Sequence, residues 1–106
     1  MTLIRGGGHF TGAQMLHWPA GVGGKGALLT GDIIQVVADR RWVSFMYSYP
    51  NLIPLSAPKV QHIVDRVKPY AFDRIYGAWW DTIVPHDAKD AVKNSAARYI
   101  QMIETP

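Results

Sequence analysis

The sequence predicts an α/β (α+β) domain, a mixed β-sheet with helices on one face. Three observations carry this. The first half holds short apolar runs cut by glycines. Two segments of helical period lie in the second half. One more short apolar run, ending in Gly, separates those two segments. Layering helices against a sheet buries the apolar sides of both. A chain of 106 residues is the length of one small domain, so residues 1–106 are read as one unit. Its hydrophobic fraction of 48% is that of a globular chain, not a disordered one.

Thr2-Leu3-Ile4 reads as a first strand, and Ala13–Trp18 as a second after the stretch GGGHFTG. Residues 19–26 hold four Gly and one Pro, which mark a turn or hairpin tip. Ala27–Thr30 is a third strand, followed by Gly31-Asp32. Ile33–Val37 is β-branched and predicts a fourth strand. Asp39-Arg40-Arg41 forms a polar corner, and Trp42–Tyr47 reads as a further strand. Residues 48–55 carry two Pro and read as a loop. Ser56 stands where a helix N-cap belongs, because its hydroxyl can accept a first-turn N–H. Pro58 follows in that turn, where its missing N–H costs little. Val60, Ile63, Val64 and Val67 make one apolar helical stripe, and Pro69 stops the helix. Phe72–Tyr76 is a strand ending at Gly77. Ala78–Asp81 is a loop rich in aromatics. A last helix runs from about Asp87 to Ile103, with Ala88, Val92, Ser95 and Tyr99 on its inner face.

Two helices cover only one face of a sheet. Strands such as Ile33–Val37 look apolar on both sides, as in sheets buried on both faces. A partner or a further part of the same protein is therefore expected on the second face.

Composition excludes several classes. Without Cys there is no disulfide framework, thiolate zinc finger or cysteine nucleophile. A net charge of +3, without a basic stripe, argues against nucleic acid as partner. No apolar run approaches the ~20 residues of a membrane span, and the first ten residues lack a signal-peptide pattern. These points predict a soluble, cytoplasmic protein.

Two polar residues sit in glycine frames at strand ends: His9 in GGGHFTG and Asp32 in LLTGDIIQ. Rigid strands fix the position of such groups. Imidazole and carboxylate suit zinc, iron or manganese. Each also has a plain structural reading, His9 bonding a backbone carbonyl and Asp32 capping a turn. The two frames, their order and their separation resemble the middle of the metallo-β-lactamase-fold hydrolases. In that family a G-H loop supplies a metal histidine, and a G-D strand end supplies an aspartate that bridges two ions. The resemblance implies that His9 and Asp32 are metal ligands, with Asp32 also catalytic. It further implies a divalent metal cofactor, with zinc first. The fold implied is half of an αββα sandwich, the C-terminal half.

The chain departs from the family pattern in two places. No H-x-H occurs, and Ala78 stands where the family places its last metal histidine. His86, eight residues on, is a possible further ligand, or simply a residue near the start of the last helix. Tyr47, Tyr49, Trp79 and Trp80 could line a substrate pocket or fill core and interface. His17 and His62 are read as structural. The expected activity is hydrolysis of an ester, lactone, thioester or phosphoester. The site would be completed by a homodimer partner or by a complementary N-terminal half. The alternative is a non-catalytic half-fold that serves as an assembly or binding module.

Overall fold

The computed structural model describes residues 1–9, 12–47 and 54–104. Seven strands and two helices follow one another as β1 (Thr2–Arg5), β2 (Gln14–Trp18), β3 (Ala27–Gly31), β4 (Gln35–Val36), β5 (Val43–Ser44), α1 (Ala57–Val67), β6 (Arg74–Gly77), β7 (Ile83–Val84) and α2 (Ala88–Glu104). The main sheet is mixed, in the order β1-β2-β3-β6-β7. Neighbours pair antiparallel except β3 and β6, which run parallel. A parallel pair needs a long crossover, and α1 lies within it.

Alternation along the strands separates two faces. Ile4, Met15, Leu28, Ile75 and Val84 point to one face and are buried with Val60, Ile63 and Val67 of α1 and Ala88, Val92 and Ala96 of α2. This is the core expected from the helical stripes. The opposite face carries Leu3, Leu16, Leu29, Tyr76 and Ile83, successive register partners across all five strands. Leu3 is 67% exposed and Leu29 36%. The fold is thus a mixed sheet with helices on one face and an apolar stripe left on the other.

Several sequence expectations change in detail. Ile33–Val37 is not a strand of the main sheet. Ile33 N–H donates to Thr30 O (3.2 Å), and the Thr30 hydroxyl donates to Ile34 O (2.9 Å). The chain turns there, burying both isoleucines in the helix-side core. Only Gln35–Val36 extends, pairing with β5 in a separate two-stranded sheet. The predicted strand Trp42–Tyr47 shortens to β5, whose Val43 N–H donates to the buried Ser95 hydroxyl of α2 at 2.8 Å. Ser56 occupies the N-cap position of α1 but makes no side-chain cap bond; its carbonyl accepts from Val60 N–H instead. Strand β7 was not foreseen, because two residues are too few to show a period.

The hairpin tip at 19–26 is as expected, with one 3₁₀ turn at Val22–Gly24. Gly26 there has φ +93°, and a Cβ on it would collide with Ala71 O. Only glycine fits that close approach. His17 is buried and donates from Nε2 to Ala71 O at 2.7 Å, the structural role read for it.

Candidate metal centre

Strand directions bring the candidate residues together. β1, β3 and β6 all point the same way, since β1–β2 and β2–β3 are antiparallel and β3–β6 is parallel. Their C-terminal ends therefore share one edge of the sheet. His9 follows β1, Asp32 follows β3 and Ala78 follows β6.

The glycine loop is built to hold His9. The amides of Gly6 and Gly7 both donate to Ala13 O at 3.1 Å, closing the loop at its neck. Gly8 has φ +78°, and a Cβ there would lie 2.9 Å from Ile63 Cδ1 and 3.2 Å from Leu55 Cδ1. The loop thus packs closely on Leu55 and on Ile63 of α1, in a left-handed backbone conformation that favours glycine. His9 Nδ1 lies 3.1 Å from Met46 O. A carbonyl only accepts, so Nδ1 carries the hydrogen and Nε2 is the acceptor nitrogen of the neutral ring. Nε2 lies 3.8 Å from Asp32 Oδ2. That is too long for a hydrogen bond. Two ligand atoms at ~2.1 Å from one zinc ion are ~3.4 Å apart at the tetrahedral angle, close to the spacing here. The donor set, one imidazole nitrogen and one carboxylate oxygen, fits a borderline divalent ion. Among the described residues no group of three or more His, Cys, Asp or Glu is placed to hold a metal.

Asp32, Gln35, Ala78, Trp79 and Thr82 share the lining of one small pocket of about 60 Å³. Ala78 therefore stands beside the carboxylate, at the position where the resemblance expects a histidine. His86 does not reach it. β7 runs antiparallel to β6 and returns the chain to the other end of the sheet. There His86 Nδ1 sits 3.6 Å from Asp73 Oδ2. The four residues of β6 separate the two ends by about 10 Å, so His86 belongs to the start of α2, as its plain reading held.

The aromatic candidates divide. Trp79 lines the Asp32 pocket and is 70% exposed, while Trp80 beside it is 95% exposed. Neither fills the core. Tyr47 lines a different cavity, together with Gly6, Gly7 and Gly8, with Lys59 Nζ 5.3 Å from its ring centroid. Tyr49 lies outside the described residues. The carbonyl of Met46, which selects the His9 tautomer, left no signal in the sequence, because every residue has a carbonyl and only the fold chooses which one is used.

No protein-family model matches the chain, and no solved structure does. It is similar to a protein of Bacillus subtilis (strain 168), uncharacterized protein YmaE, with 55% identity over 105 residues. The match takes in 99% of this chain and 38% of YmaE. The chain therefore spans well under half the length of that relative. No helix among the described residues is long and apolar enough to cross a membrane.

Proposed function

We propose that this chain supplies one histidine and one carboxylate to a metal-dependent hydrolase centre of the metallo-β-lactamase type. The observation that carries the reading is the approach of His9 Nε2 to Asp32 Oδ2, 3.8 Å apart at neighbouring strand ends. Catalytic zinc takes about three protein ligands and keeps one position for water, so further ligands come from outside the described residues. The apolar stripe from Leu3 to Ile83 supports a second sheet as their source. Packing another apolar sheet on it would give a sandwich with the sites at its rim. The greater length of YmaE supports a covering segment in the same polypeptide, and a second copy of this chain is the other source.

A bound divalent ion supplies hydroxide at neutral pH by lowering the pKa of its water toward ~7. His9 contributes a neutral imidazole whose orientation is held by Met46 O. Asp32 contributes negative charge and an acceptor that orients the attacking water's hydrogen. Trp79, at the rim of the same pocket, offers an apolar wall to a small ester, lactone, thioester or phosphoester. Cytoplasmic location belongs to the same proposal.

The test is zinc content per chain after dialysis, for the wild type and for His9→Ala and Asp32→Ala, with circular dichroism to confirm folding. Zinc bound by the wild type and lost from both variants is the expected result. Equal zinc in all three removes the metal reading and leaves the non-catalytic half-fold.

A further inference from the structure

A second concave site borders the glycine loop and does not include Asp32. This cavity of about 780 Å³ is lined by Arg5, Lys59, His62, Arg66 and Tyr47, with glycines 6–8 and 12 as its floor. That size falls within the ~300–1,000 Å³ of small-molecule sites. Its charge is one-sided. Three permanent cations and a histidine line it, and among the described residues no acid does. Asp65, the one acid on α1, accepts a bond from Gln61 at 2.9 Å and stays outside the lining.

The cations are placed, not scattered. Lys59, His62 and Arg66 stand at i, i+3 and i+7 on α1, one face of a helix. At ~1.5 Å rise per residue the row is about 10 Å long. Arg66 Nε donates to Arg5 O at 3.2 Å, which ties the row to the end of β1 and uses one of the guanidinium's five donors. Lys59 is steadied over the Tyr47 ring. The floor is bare backbone: a Cβ at Gly7 or Gly12 would meet nothing within 4 Å. A ligand can therefore approach the main chain there.

We infer that this cavity binds an organic phosphate of nucleotide size, its phosphates held by Arg5, Lys59 and Arg66 and its ring set against Tyr47. The row suits more than one phosphate, and the volume exceeds what phosphate alone would fill. A nucleic-acid strand is less suited, because the cations lining the cavity form one short row, and several cations outside it are already engaged. Arg41 is paired with Asp39, Arg40 with the carbonyls of Val37 and Asp81, and Lys89 with those of Lys68 and Tyr70. The inference does not depend on the metal centre.

Calorimetric titration of the chain with ADP, with adenosine and with single-stranded DNA of about twelve nucleotides tests it. Saturable ADP binding, absent with adenosine, is expected. The double substitution Arg5→Gln, Lys59→Gln changes only exposed side chains and should weaken ADP at least about tenfold. Asp32→Ala should leave ADP binding unchanged, which separates this site from the metal reading. Adenosine binding as tightly as ADP, no loss in the double variant, no ADP binding at all, or DNA binding more tightly than ADP would each overturn the assignment.

Discussion

The hydrogen bond from His9 Nδ1 to Met46 O decides which nitrogen of the ring faces Asp32. The proposed metal binding rests on that selection at the residue scale, because a neutral imidazole ligates through its acceptor nitrogen. The weakness at the same scale is Ala78, which shares a pocket wall with Asp32 yet has nothing to offer an ion. Ala78→His should therefore add a third ligand. Zinc affinity, measured by competition with a chelating dye, is expected to rise at least about tenfold, and the gain should vanish in Ala78→His combined with Asp32→Ala. No gain would mean that position 78 does not face the ion. The approach of His9 to Asp32 was legible from sequence because glycines on both sides of a lone polar residue signal a backbone shaped to aim it. The failure of His86 was not legible: eight residues beyond Gly77 look near until β7 carries them back along the sheet.

Among the elements, α2 depends at its start on a residue from another element. Asp73, just before β6, accepts from Asp87 N–H through Oδ1 at 3.0 Å and from Ala88 N–H through its own carbonyl at 3.1 Å. It thus satisfies two donors at the N-terminus of α2, the end where negative charge is favourable. The bond from Asp87 is the main cause that holds the Asp73 carboxyl below its ordinary value, with His86 and Lys25 adding to it. A depressed native pKa means stabilisation that is complete above the unfolded value of ~3.9 and lost as pH falls through the native one. Denaturant titrations from pH 7 downward should show Asp73→Asn less stable than the wild type at neutral pH. The gap should narrow on acidification below about pH 4; a gap that stays constant would assign the effect to geometry, not charge. The same scale shows why helices were easier to read than strands. The stripe of Val60, Ile63 and Val67 declares α1 within its own eleven residues. Ile33 and Ile34 have the composition of a strand, but hydrogen bonds from Ile33 N–H to Thr30 O and from the Thr30 hydroxyl to Ile34 O turn them inward, and such bonds leave no periodic trace.

At the scale of the whole molecule the unresolved matter is one sheet face. An uncovered second face was expected from Ile33–Val37, and those residues are not on it; the stripe is Leu3, Leu16, Leu29, Tyr76 and Ile83 instead. No local pattern reveals it, since its members are neighbours only through register between strands that are distant in sequence. Monomers rarely leave apolar patches of more than a few hundred Å² in water, so the stripe should be covered. For the 106-residue chain by itself, the available cover is a second copy, and a two-fold pairing of identical faces is self-complementary. Sedimentation velocity across a concentration series should show a dimer. Leu3→Glu with Leu29→Glu should shift it to monomer without loss of helical signal, because both side chains point away from the helix-side core. If the dimer forms, zinc content in the same samples connects the two scales. Binding that disappears in the monomeric variant, with His9 and Asp32 intact, places the missing ligands across the sheet interface. Binding that persists rules out the sheet interface as their source. A wild-type chain that stays monomeric at high concentration removes the second copy as the cover and leaves a further segment of a longer polypeptide in that role.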